Sequence, residues 1–141
     1  MSTALEFCHV DILFPLKGAR RPAAALQQAL LELDAGRTRA EIAEATGVVV
    51  GVANANLTVE RGDICVLMGL SGSGKSTLLR AANGITAVTR GRVLVSDGTS
   101  SVDIAGCDPR TLREVRRARA RAPRAAASRR RARGSTGPPI V

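Results

Sequence analysis

A glycine-rich stretch at residues 69–77 constrains the fold of this chain more than any other part of its sequence. It matches the phosphate-binding pattern G-x-x-x-x-G-K-[ST] at every fixed position. The apolar residues 64–68 predict a buried parallel strand before it, and residues 76–83 predict a helix after it. This order predicts an α/β fold in which backbone N–H groups and the positive end of the helix face an anion. The loop consists of Gly69, Leu70, Ser71, Gly72, Ser73, Gly74, Lys75, Ser76 and Thr77.

The residues of this loop are suited to separate tasks in binding a nucleotide. Lys75 supplies a positive charge for the β- and γ-phosphates, and the Ser76 hydroxyl is placed to ligate a Mg²⁺ that bridges them. Thr77 adds a further hydroxyl. The alternative, a glycine-rich connector without a function, leaves the flanking strand and helix unexplained. Three glycines permit positive φ angles and a close approach to phosphate oxygens; they are Gly69, Gly72 and Gly74.

The segment at residues 66–84 resembles the ATP-binding subunits of ABC importers, most closely those that take up quaternary amines such as glycine betaine and choline. Residues 51–62 are similar to the strand pair that leads into the family's nucleotide site. Residues 88–95 resemble its next strand, and residues 112–116 resemble the helix that leads to its glutamine loop. The resemblance covers residues 5–116 and then stops.

This resemblance implies a fold, ligands and partners. The expected fold is a truncated P-loop NTPase core of α/β class, with an antiparallel β subdomain and a small helical insertion. The expected ligands are ATP and Mg²⁺, and the expected partners are membrane permease subunits and a second ATPase subunit. In the family an aromatic residue after the first strand stacks on adenine, and Phe14 is the candidate here. Burial of Phe14 in the core is the alternative.

Residues 22–47 form the helical insertion, which the resemblance assigns to the quaternary-amine group. Leucines at positions 26, 30 and 33 recur at helical spacing and predict one apolar stripe. Thr38 and Glu41 form a capping-box signature that begins a second helix, and Gly47 ends it. We expect the two helices to pack a small satellite core, and a regulatory role is the alternative.

Further strands are predicted on both sides of the loop. Residues 5–14 indicate a first strand, in which the sole histidine, His9, is an ordinary strand residue. Residues 48–50 and 57–59 indicate two separate strands, with uncertain ends at Gly51 and Asn54. Residues 93–95 and 102–104 indicate a hairpin that turns at Asp97 and Gly98. Asp108 followed by Pro109 begins a helix that extends past Arg116.

The positive charge of the chain is confined to its C-terminal part. The formal net charge is +9, yet residues 1–112 carry 11 basic and 11 acidic side chains, whereas residues 113–141 carry 10 arginines and one glutamate.

The three cysteines form no zinc or disulfide pattern, which favours a reducing compartment. No segment is typical of a secretion signal or a membrane span. We therefore expect a cytoplasmic protein that does not insert into the membrane directly. If it assembles with a transporter, we expect it to lie at the inner face of the plasma membrane.

Residues 117–141 are expected to be a disordered tail rich in arginine and alanine, and residues 1–116 a partial nucleotide-binding domain. The family's glutamine loop, signature motif, acidic strand and switch histidine are not found in the sequence. We therefore expect a reading-frame change or truncation near Arg116 and no ATP hydrolysis by these residues alone. The alternative function is a basic protein that binds nucleic acid or anionic lipid through the tail. The neutral remainder and the lack of an aromatic platform argue against specific nucleic-acid binding.

Overall fold

In the computed structural model, which describes residues 2–17 and 21–121, four strands and four helices form a mixed α/β fold. The strands form one antiparallel sheet in the order β2-β1-β3-β4. The elements in chain order are β1 (Thr3–Pro15), α1 (Pro22–Asp34), α2 (Arg39–Thr46), β2 (Val48–Glu60), α3 (Lys75–Ala82), β3 (Arg90–Ser96), β4 (Ser101–Asp103) and α4 (Pro109–Arg121).

Two hydrophobic clusters hold these elements together. The larger cluster joins the sheet to α3, and Leu112 and Val115 of α4 pack against its edge. Its buried members are Phe7, Val10, Ile12, Val52, Ala81, Ala82, Val93, Val95 and Ile104. The smaller cluster joins α1 and α2 to one end of β1 and β2, and contains Leu13, Ala29, Ile42, Val48 and Val50. The predicted helical insertion and its satellite core are therefore confirmed.

The helix ends in the insertion form as predicted. The Thr38 backbone N–H donates to a carboxylate oxygen of Glu41 at 2.8 Å, and the Glu41 N–H donates to the Thr38 hydroxyl at 3.3 Å. Gly47 ends α2 in the left-handed conformation with φ of 65°. These bonds satisfy backbone groups that the helix itself leaves without partners. The bond from the Thr38 N–H also lowers the pKa of Glu41.

The structure corrects the prediction of two short strands at residues 48–50 and 57–59. A single strand, β2, runs from Val48 to Glu60, because β1 pairs with it along its length. The pairing of β1 with β2 shifts in register at the irregular positions. Asn54 lies at one of these positions and has φ of 46°. Long-range pairing therefore overrides the local break signals of Gly51 and Asn54.

His9 lies in β1 as predicted, but at one of these irregular positions. Its φ is 48°, its backbone N–H donates to the Asn56 side chain at 2.9 Å, and its Nδ1 lies 2.9 Å from Oδ1 of Asn54. Among the described residues, the two non-glycine residues with positive φ, His9 and Asn54, thus face each other across the strand pair. A cavity of about 450 Å³ adjoins them beneath the end of α1.

The predicted buried strand at residues 64–68 is wrong. None of the strands in the described part of the chain pairs with this segment, which has no regular secondary structure. Ile64 is 93% exposed, Val66 71% and Met68 81%. A parallel strand becomes buried only when neighbouring strands and helices cover it. The four described strands form an antiparallel sheet that leaves this segment outside.

The hairpin and the last helix agree with the sequence pattern. The Asp97 carboxylate accepts the N–H groups of Ser100 and Thr99, each at 2.8 Å, which lowers its pKa. Asp108 begins α4 and accepts the Thr111 hydroxyl and the Arg110 N–H, and these bonds lower its pKa. The helix continues to Arg121 and so includes the first five residues assigned to the tail. Residues 122–141 lie outside the described residues.

A buried carboxylate ties the insertion to the sheet. Asp11 is 1% exposed, and its two oxygens accept the Asn54 backbone N–H and Nε of Arg90, both at 2.7 Å. The remaining guanidinium nitrogens of Arg90 donate to both oxygens of Asp34, at 2.8 and 2.7 Å. These bonds lower the pKa of Asp34 and raise that of Arg90. β1, β2, β3 and the end of α1 are thereby joined through one network.

We predict that Asp11→Ala lowers the free energy of unfolding by about 2 to 4 kcal/mol, because it leaves an arginine and a buried N–H without their acceptor. Urea unfolding of both variants and the parent measures the change. Asp34→Ala is the matched control, since it removes the exposed partner of the same arginine. Its loss should be smaller. An equal or larger loss for Asp34→Ala would contradict the central role of Asp11.

Candidate functional site

The glycine loop contacts the sheet at Gly74. The three glycines predicted to adopt positive φ do so, with values of 154° at Gly69, 80° at Gly72 and 92° at Gly74. Gly74 precedes the first residue of α3. A Cβ at this position would collide with the backbone carbonyl of Gly51 in β2 and come within 3.1 Å of Val52 Cγ2. Only glycine therefore allows the loop to approach the sheet this closely.

Lys75 lies at the centre of the loop. Its ammonium group donates to the carbonyls of Gly69, at 2.8 Å, and Leu70, and to the Ser73 hydroxyl at 3.0 Å. These acceptors are uncharged, and an anionic oxygen makes a stronger hydrogen bond to an ammonium group than they do. An anion that enters the loop can therefore replace these neutral acceptors as the hydrogen-bond partner of Lys75.

The first turn of α3 adds backbone donors to the same place. The first bond within the helix runs from the Leu78 N–H to the Gly74 carbonyl, at 2.9 Å. The N–H groups of residues 75–77 precede it and have no acceptor inside the helix, which gives this end a partial positive charge. Lys75 and these N–H groups face the loop from its C-terminal side. The arrangement suits a phosphate group.

The hydroxyl groups of the loop are accessible. Ser71, Ser73 and Ser76 are exposed, and Thr77 is half-buried. Within the described residues no group of three histidine, cysteine, aspartate or glutamate side chains is close enough to hold a metal ion. A Mg²⁺ at this loop would thus take its ligands from Ser76, phosphate oxygens and water, which is the oxygen set that this ion prefers. The residues present fit Mg²⁺ bound together with a nucleotide.

Phe14 lies close to the loop. It pairs with Val49 near the end of β1, and 41% of its surface is exposed, so the alternative of a buried core residue is wrong. Its ring packs against Gly51, where a Cβ would lie 2.7 Å from Cε2 of the ring. The carbonyl of the same Gly51 faces Gly74 of the loop. One glycine in β2 therefore separates the exposed aromatic ring from the glycine loop.

Sequence reasoning missed the part that Gly51 plays. It treated this glycine as a strand boundary, whereas the residue lies inside β2 and contacts both Phe14 and the loop. A glycine within a strand commonly marks a close approach of another part of the backbone, which was the available signal.

The chain matches a family model described as ABC transporter over residues 52–128. It is 48% identical over 91 residues to the glycine betaine/proline betaine transport system ATP-binding protein ProV of Escherichia coli, covering 64% of this chain and 22% of that protein. It is 45% identical over 91 residues to the glycine betaine transport ATP-binding protein OpuAA of Bacillus subtilis, covering 64% and 21%. The chain thus spans about a fifth of the length of these curated relatives.

Among solved structures, the chain resembles the ATP-binding cassette MJ0796, whose dimer was determined with ADP and Pi bound. The TM-score is 0.53 at 19% identity, and the match covers 80% of this chain and 35% of the other. At this identity the similarity concerns the fold. It agrees with the predicted P-loop fold with an antiparallel sheet.

We predict that Gly74→Ala destabilises the protein more than Gly72→Ala does. Both glycines have positive φ, which costs a non-glycine residue about 1 kcal/mol. A Cβ at Gly72 meets no atom within 4 Å, whereas one at Gly74 collides with β2. The collision should add about 1 to 3 kcal/mol. Urea unfolding of the two variants measures the difference, and equal losses would show that the loop does not contact Gly51.

Proposed function

Because the chain belongs to the ABC transporter family of ATP-binding proteins, we propose that it binds ATP with Mg²⁺ through residues 69–77. The observation that carries this proposal is the loop itself: Lys75 at its centre, the N–H groups of residues 75–77 that have no acceptor within α3, and Gly74 packed on β2. In this proposal the N–H groups and Lys75 bind the β- and γ-phosphates. Mg²⁺ neutralises phosphate charge when bound, and Ser76 is its ligand from the protein.

Phe14 is the proposed contact for the adenine base. Its ring is partly exposed and lies against Gly51, beside the loop that would hold the phosphates. An aromatic face stacks on a base without selecting it by hydrogen bonds. The phosphate loop would therefore supply most of the affinity, and Phe14 would add to it only when the ligand carries a base.

We further propose that this nucleotide site belongs to the ATP-binding subunit of an importer for quaternary amines of the glycine betaine type. The betaine-system relatives in Escherichia coli and Bacillus subtilis align over 91 residues, whereas the phosphonate import ATP-binding protein PhnC of Shouchella clausii aligns over 64. The longer alignments support the betaine assignment.

In such an assembly, membrane permease subunits and a second ATPase subunit would be the partners, at the inner face of the plasma membrane. Within the described residues, none of the helices has the length and apolar character needed to cross a bilayer. In this proposal the permease subunits attach the assembly to the membrane.

We predict that Lys75→Ala weakens ATP–Mg²⁺ binding at least about tenfold, because hydrogen bonds to charged groups contribute about 1.5 to 3 kcal/mol each. Calorimetric titration measures the dissociation constant. Lys17→Ala is the matched control, since it removes the only other lysine of the chain, which lies exposed after β1. Equal affinities of Lys75→Ala and the parent would contradict the proposed site.

The same titrations separate the roles of the other two side chains. Phe14→Ala should weaken ATP but leave inorganic triphosphate unchanged, because triphosphate has no base to stack. Ser76→Ala should reduce the gain in ATP affinity that Mg²⁺ gives, whereas Ser101→Ala, at an exposed position in β4, should keep it. Equal losses of ATP and triphosphate in Phe14→Ala would argue against adenine stacking and leave the phosphate site in place.

A further inference from the structure

The C-terminal end of α3 is held by arginines from α4. Nε of Arg116 donates to the Asn83 carbonyl at 2.9 Å, and its NH2 donates to the Gly84 carbonyl at 3.0 Å. NH1 of Arg119 donates to the Ala82 carbonyl at 2.8 Å. Carbonyls at the end of a helix have no donor within the helix itself. Two of these charged hydrogen bonds satisfy the carbonyls of the last helical residue and of the C-cap of α3, and the third binds the residue that follows the cap.

Apolar packing sets the position of α4 for these bonds. Leu112 lies so close to Gly84 that a Cβ there would be 2.6 Å from Cδ1 of the leucine. Leu112 and Val115 also pack against the cluster that contains Ala81 and Ala82. Residues 112, 116 and 119 follow one another at spacings of four and three, which places them on one face of the helix. The face that packs on α3 is therefore the face that carries the two arginines.

We propose that Arg116 and Arg119 are positioning residues for the phosphate-binding end of α3, a proposal that rests on the proposed nucleotide site. α3 has eight residues and is thus about 12 Å long, so fraying at one end soon reaches the other. Positive charge at the C-terminal end of a helix stabilises it and adds to the positive potential at its N-terminal end. The two arginines act on the bound phosphate through the helix, without touching it.

This proposal gives a function to the start of the arginine-rich segment. Arg119 lies within residues 117–141, whose sequence predicted a disordered tail. The structure continues α4 through this residue, and the family model also extends past it, to residue 128. Arg119, within the arginine-rich segment, thus belongs to the support of the nucleotide site.

The test compares two double variants on the same helix. Arg116→Ala with Arg119→Ala removes the three bonds to the carbonyls of residues 82–84 at the C-terminal end of α3. Arg113→Ala with Arg117→Ala removes the same charge from exposed positions whose side chains make no hydrogen bond to the described residues. Calorimetry with ATP–Mg²⁺ on the full chain should show binding weakened about fivefold by the first pair and less than twofold by the second. The number of sites per chain should stay unchanged, because a loss of folded protein lowers that number.

Two further measurements separate an effect of the arginines on the end of α3 from a general loss of charge or of folded protein. Arg116→Lys with Arg119→Lys keeps the charges at the helix end, and its affinity should stay within about twofold of the parent. Without nucleotide, hydrogen exchange of the backbone N–H groups at the end of α3 should be faster in the alanine pair than in the control pair. If the alanine pair does not fold, Arg119→Ala alone serves, since it removes one bond.

Equal weakening by both alanine pairs would overturn the proposal, because net charge alone would then explain the effect. Unchanged affinity and unchanged hydrogen exchange in the first pair would overturn it as well. Failure of the nucleotide site has a different signature: Lys75→Ala would leave ATP binding unaltered. In that case faster exchange in the first pair would still support the capping of α3, and unchanged exchange would refute it.

Discussion

The buried carboxylate of Asp11 connects the parts of this fold that are distant in sequence. It lies on β1, bonds to β2 through the Asn54 N–H and reaches β3 and α1 through Arg90. A carboxylate removed from water is stable only when its oxygens have such partners. The network therefore fixes how the helical insertion and β3 meet the central strand. It also holds β2 in the register that places Gly51 between Phe14 and the phosphate loop.

The phosphate loop itself is supported from two sides. Gly74 packs on the Gly51 carbonyl at the start of α3, and Arg116 and Arg119 bind the carbonyls at its end. The apolar segment before the loop contributes little to this support, because Ile64 and its neighbours are exposed. The conformation of the loop thus depends on contacts with the antiparallel sheet and α4. These contacts explain how the loop keeps the positive φ angles of its three glycines beside a segment that is not paired in a sheet.

Features specified by neighbouring residues could be predicted from the sequence. The glycines of the loop, the Thr38 and Glu41 capping box, the left-handed Gly47 and the start of α4 at Asp108 all depend on residues within a few positions. Features that depend on distant partners were missed or wrong. The burial of residues 64–68 needs neighbouring strands, the continuity of β2 comes from β1, and the contacts of Gly51 and Arg119 join elements far apart in the chain. Local patterns do not identify such partners, even where a glycine within a strand signals that some segment approaches closely.

The central claim is that residues 69–77, supported by β2 and α4, bind the phosphates of ATP next to Phe14. A titration of isotopically labelled protein with ATP–Mg²⁺, followed by the NMR signals of its backbone N–H groups, tests this most directly. The account predicts that the largest shifts occur at residues 69–77, with smaller shifts at Gly51 and Phe14, which lie beside the loop. Shifts confined to the arginine-rich residues 113–141 would contradict it, because they would show that ATP binds there as a polyanion attracted by charge alone.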